Sequence, residues 1–149
     1  MGLTATIEDI KVADTESGTL SIVNLGVPER DQILPIFIGV DEGARIVKGL
    51  DFPNTSNSKT HDLLLDVVEA LGSRIHRVKI TDFHNGTYSA ELIIKTPRTE
   101  EGIIASPGDA LALAVRSNIP IEIDSSLFDA QSEPSVTFTE LDDIRDVIV

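Results

Sequence analysis

Hydrophobic and polar positions alternate through "TATIEDIKV" (residues 4–12) and "TLSIVNL" (19–25), with the polar "ADTESG" between them. That period of two, broken by turn residues, predicts a β-hairpin. "ILPIFIGV" (33–40) is continuously apolar and reads as a strand buried on both faces, with Pro35 marking an edge or irregular point. The period then changes. "DEGARIVKGL" predicts a helix over 41–50, and after the loop-like "DFPNTSNS" (51–58) a second helix runs over 60–71 and stops at Gly72. "RIHRVKITD" (74–82) and "GTYSAELIIK" (86–95) are strands joined at Asn85-Gly86, a pair that favours a tight primed turn. "EGIIA" (101–105) is a short strand, "SPGDALALAVRSN" (106–118) a helix over 107–117, and "IEID" after Pro120 a last strand. "SSLFDA" and "TELDDIRDVIV" predict two short terminal helices, the second amphipathic.

These elements make a single α+β domain, a mixed, largely antiparallel sheet packed with three to four helices. The domain itself is expected over residues 1–130, with 131–149 as an acidic C-terminal extension.

The 60–71 helix carries the first candidate chemistry. On a helical wheel Leu63, Leu64, Val67, Val68 and Leu71 form the expected core stripe, and Asp62, Asp66 and Glu69 gather on the opposite, solvated side. His61 falls at the margin of the stripe, where it is partly shielded and can offer a ring nitrogen outward. Asp62 also has a bland explanation, because a first-turn carboxylate is favoured by the helix dipole. In "SPGD", Ser106 suits the N-cap, Pro107 the first helical position, and Asp109 a capping box reaching back to the cap amide. The apolar "ALALAV" that follows predicts a helix buried on two sides. A helix start facing a cleft is also an anion site, so capping and binding are compatible here.

Composition changes the picture in one respect. Asp and Glu number 25 against 12 Lys and Arg, a net charge of −13 that ordinarily argues against nucleic acid as a partner. The acid is dispersed along the chain, as in salt-adapted proteins, where a Debye length of ~3 Å at molar salt screens it. A halophilic cytoplasm is the expectation, and a cation-binding surface the alternative. Cysteine is absent, which removes disulfides and thiolate metal sites. No apolar run approaches the ~18 residues of a membrane span, and the N-terminus lacks a signal-peptide pattern, so no membrane partner is expected.

No Walker loop, dinucleotide fingerprint, nucleophile elbow or H-E-x-x-H is present. Taken together, "LPIFIGVDEGARI", "THDLLLDVVEALG", "ITDFHNGTYSAEL" and "SPGDALALAVR" resemble the bifunctional nuclease (DNase-RNase) domain family over roughly residues 3–130. The resemblance implies a compact α+β domain, often homo-oligomeric, some members of which cut DNA and RNA. Its recurrent positions fall here on Thr60, His61, Asp62, Asp82, Gly86, Thr87, Pro107, Asp109 and Arg116. Asn57-Ser58 and Ser106 stand where members commonly carry arginine-containing motifs, and Gly108 replaces a serine. Both losses remove a guanidinium suited to phosphate.

Two functions follow as expectations. The first is a metal-assisted nuclease. His61 and Asp109 would be catalytic, and Thr60, Ser106 and Arg116 would bind nucleic acid or another anion. Asp62, Asp82 and Glu91 would hold Mg2+ or Mn2+. The second is a non-catalytic anion-binding or interaction module, a homodimer or higher homo-oligomer.

Overall fold

A computed structural model of the protein describes residues 2–51 and 59–148, leaving out the side chain of Lys59. The loop expected at 51–58, apart from Asp51, lies outside the described residues, as does Asn57-Ser58. Nine strands and five helices are described: β1 (Gly2–Thr15), β2 (Gly18–Gly26), β3 (Gln32–Gly39), α1 (Val40–Asp51), α2 (Lys59–Ala70), β4 (Arg74–His84), β5 (Thr87–Lys95), β6 (Glu100–Ala105), α3 (Pro107–Ser117), β7 (Ile121–Asp124), α4 (Ser125–Gln131), β8 (Glu133–Pro134), β9 (Asp142–Asp143) and α5 (Ile144–Val147).

The strands form one mixed sheet in the order β6-β5-β4-β7-β1-β2-β3-β8, with β9 paired to β1. Only β4 and β7 run parallel among these pairs, which makes the α+β expectation correct. β1 joins the two halves. Its first residues pair with β7 from Gly2 to Ala5, and from Thr6 onward it pairs with β2. The β4–β5 turn has Asn85 at φ 53° and Gly86 at φ 78°, the two positive values a primed turn demands. Among the described residues β3 is covered on its outer side only at Gln32 and Ile33, so Pro35 lies along an open edge, where a missing N–H is tolerated.

α3 organises the core. Ala110, Leu111, Ala112, Leu113 and Ala114 are all buried, as the apolar "ALALAV" predicts. The helix touches β3 as well as β4 and β5, strands from opposite halves of the sheet order, so the sheet curls around it. Small alanines let α1 approach closely, and Ile46 and Val47 of α1 are buried against the same core.

Two expectations fail. The final segment is helical only at Ile144–Val147, preceded by turns and the two-residue β9. It is anchored by the buried Ile144 and by Arg145, whose guanidinium forks onto Asp51 at 2.8 and 2.9 Å. The second failure is α2. The stripe Leu63, Leu64, Val67 and Leu71 faces solvent, with Leu63 63% and Leu71 73% exposed. The side turned inward carries His61, Asp62, Leu65 and Val68, which follow helical spacing equally well.

Candidate active site at the starts of two helices

α2 and α3 meet near their N-termini, and the expected histidine lies in the contact. His61 lies on the inward side of α2. Its side chain is 9% exposed, and Nε2 donates to Asp109 Oδ1 at 3.0 Å. Because a carboxylate can only accept, the ring carries its proton on Nε2. Asp109 is the open member of the pair, with its side chain 59% exposed.

The α3 start fixes that carboxylate from its other side. Ser106 is the N-cap, accepting the Asp109 backbone N–H at 3.3 Å and donating its hydroxyl to Asp109 Oδ2 at 3.0 Å. The capping role expected of Ser106 and Pro107 is present. Asp109 departs from the expected capping box, since it turns to the Ser106 hydroxyl and His61 instead of the cap amide. Both oxygens are thereby oriented while the group still faces water.

Asp62 was expected in solvent beside Asp66 and Glu69. Instead it accepts Arg116 Nη1 at 3.1 and 3.4 Å. Arg116 is 5% exposed in its side chain, and its Nε and Nη2 have no hydrogen-bond acceptor. Asp109 and Arg116 lie seven residues apart on one face of α3, so His61 and Asp62 fasten the first turn of α2 at two points. Thr60 is exposed at the same helix start.

The remaining expected metal ligands are not brought together. Asp82 is exposed on β4 opposite Ser89 and accepts the Phe83 backbone N–H at 2.8 Å. Glu91 opposes Lys79 and lines a separate cleft of about 370 Å3 with Glu122 and Asp124. Among the described residues no three His, Asp or Glu side chains stand where one ion could take them all. Asp62, Asp82 and Glu91 therefore do not fit a shared Mg2+ or Mn2+, since Asp62 is committed to Arg116 and the other two diverge along their strands.

Sequence reasoning missed Glu42. This first-turn carboxylate of α1 abuts Gly108, where an added Cβ would overlap it, and its Oε1 accepts the Gly39 N–H at 3.3 Å. The absence of a side chain at position 108 is what admits a second acid beside the α3 start. The only signal in the sequence is a glycine inside a helix's first turn.

The sequence profile of the bifunctional nuclease domain matches residues 23–135, which include every residue of this site. Two curated relatives from Mycobacterium tuberculosis, named Uncharacterized protein MT1877 and Uncharacterized protein Rv1829, are each 34% identical over 97 residues. The match covers 65% of this chain and 57% of each relative, so the chain spans little more than half the length of the proteins it resembles. With most of the chain inside the matched region, the protein belongs to the bifunctional nuclease domain family.

Proposed function

We propose that the protein is a nuclease hydrolysing the phosphodiester bonds of DNA and RNA at the α2–α3 start. The observation that carries this reading is Asp109, oriented through both oxygens yet open to water, with a buried histidine behind it. The roles expected from the sequence shift accordingly. Asp109 is the group that meets the attacking water and takes its proton as the new P–O bond forms. His61 is a positioning residue, holding the carboxylate through Nε2–H. The leaving oxygen draws its proton from solvent. No step is routed through Asp62, Asp82 and Glu91, because they do not converge on an ion.

The test is cleavage of single-stranded DNA and RNA by highly purified protein in molar KCl, with and without Mg2+ and Mn2+, beside Asp109→Asn. This variant keeps the shape of the side chain and its contact with Ser106. Its rate should fall by about 10²-fold or more if the carboxylate moves a proton. Equal cleavage by variant and wild type at matched purity would refute the assignment.

One observation favours a second reading, a module that pairs with another copy of itself through α2. Leu63, Leu64, Val67 and Leu71 are 63%, 41%, 47% and 73% exposed, so an apolar stripe of α2 is left uncovered. They form one straight stripe, which can pack on its own two-fold mate. Light scattering should then give a dimer for the wild type and a monomer for Leu63→Glu/Leu71→Glu. A monomeric wild type ends this reading and leaves the nuclease untouched.

A further inference from the structure

β6 ends the sheet order, and among the described residues nothing pairs with its outer side. The Thr96 N–H donates to the Thr99 carbonyl at 2.8 Å, closing the turn before β6. Antiparallel pairs alternate between bonded and unbonded, and the β5–β6 ladder continues that register without a break. The N–H and C=O groups of Glu100, Gly102 and Ile104 therefore point away from β5, toward solvent. Natural edges are commonly guarded by lysine, proline or a bulge, and this strand has none of them. Ile103 is 49% and Ile104 84% exposed, so the edge presents apolar side chains as well as open ladder groups.

The charge pattern of the strand selects what can pair with it. Glu100 and Glu101 stand at one end, and Ile103, Ile104 and Ala105 at the other. Like charges directly opposite each other are destabilising, so a parallel copy, with glutamate beside glutamate, is disfavoured. An antiparallel copy turned about Ile103 sets Ile103 against the partner's Ile103 and Glu101 against the partner's Ala105. Glu100 then faces the partner's Ser106, and no carboxylate faces another. Gly102 exchanges both ladder bonds with the partner's Ile104, which uses the outward groups. A two-fold at Gly102 is less favourable, because the Glu91 carboxyl lies over that glycine and would approach its own mate.

We propose that β6 pairs antiparallel with β6 of a second copy about a two-fold axis at Ile103, and that each copy thereby sets Arg98 beside the start of its partner's α3. Antiparallel pairing lays the beginning of one strand beside the end of the other. Arg98 lies in the turn just before β6, exposed and in none of the ion pairs among the described residues. Ser106 and Asp109 follow just after β6. Counting along the paired strands brings the partner's Arg98 level with Gly108, next to Asp109. One copy alone gathers two carboxylates at the α3 start, Glu42 and Asp109, while Arg116 is buried and committed to Asp62. A phosphodiester there needs a cation, and the partner's Arg98 supplies a guanidinium fork suited to it. That last role rests on the nuclease reading; the pairing does not.

Light scattering of the intact chain in molar KCl should give a dimer for the wild type. Ile104→Pro should give a folded monomer, because the N–H it removes faces outward and makes no bond to β5. Ile103→Lys, which puts a charge on the edge, is the second blocking variant should the proline fail to fold. The chain has no cysteine, so Ile103→Cys should oxidise to a covalent dimer. Val136→Cys, exposed beyond the other end of the sheet, should not. The pairing is overturned by a monomeric wild type, by a dimer that survives both edge variants, or by one lost only in Leu63→Glu/Leu71→Glu. For the shared site, Arg98→Ala should stay dimeric yet cleave about tenfold or more slowly. Mixing it with Asp109→Asn and letting subunits exchange should restore about a quarter of the wild-type rate, since each mixed dimer keeps one complete site. No recovery, with Asp109→Asn inactive by itself, overturns the placement of Arg98. Cleavage by Asp109→Asn at the wild-type rate refutes the nuclease reading alone, and scattering and cross-linking still decide the pairing.

Discussion

Tyr88 shows how burial rewrites the chemistry of one residue. Its ring packs on Phe83 with centroids 4.6 Å apart, and the side chain is buried on β5. Loss of water around the phenol, assisted by the Glu133 charge, pushes its pKa up to about 12 from the usual 10.0. A raised folded pKa means that the protonated phenol contributes stability fully present below 10.0 and lost as pH rises toward about 12. The chain has one tyrosine and no tryptophan, so tyrosinate absorbance reports this group without interference. The titration midpoint should lie well above 10.0 in the folded protein and return to it in denaturant. A midpoint at the ordinary value under native conditions would contradict the buried ring.

At the scale of elements, α2 is held by little apolar burial and by two polar contacts with α3. The Asp62–Arg116 pair is the more deeply set, because the guanidinium is almost wholly buried and two of its nitrogens already lack acceptors. Removing a partner from a buried pair leaves the other charge uncompensated. Asp62 is itself partly exposed, which softens the penalty, so Asp62→Asn should destabilise by about 1–3 kcal/mol. Asp66→Asn on the solvent side should change stability by less than about 0.5 kcal/mol. Thermal or urea unfolding of the two variants checks the contrast, and amide exchange along α2 should accelerate only in the first.

For the whole molecule, the net charge of −13 is the dominant fact. Self-repulsion among dispersed carboxylates falls with ionic strength, since the Debye length drops from ~10 Å at tenth-molar to ~3 Å at molar salt. Transfer from molar KCl to low salt should lower the melting temperature by several degrees. An unchanged melting temperature would restore net charge as an argument against a nucleic-acid partner.

Periods of two and of 3.6, the Asn85-Gly86 turn and the Ser106-Pro107 cap were enough, from the sequence alone, to place the three main helices and the long strands. These signals are local, each set by backbone sterics and by hydrogen bonds within a few residues. The face of α2 was not legible, because two stripes on that helix satisfy the same period and the more apolar one, Leu63, Leu64, Val67 and Leu71, is turned outward. What selects the other stripe is Asp109 and Arg116, 48 and 54 residues along the chain from their partners His61 and Asp62. The approach of Glu42 to Gly108, the burial of Asn24 beside Asp9 and the separation of Asp62 from Asp82 and Glu91 belong to the same class. Each depends on how distant segments pack, and pattern along a chain carries periodicity but not partnership.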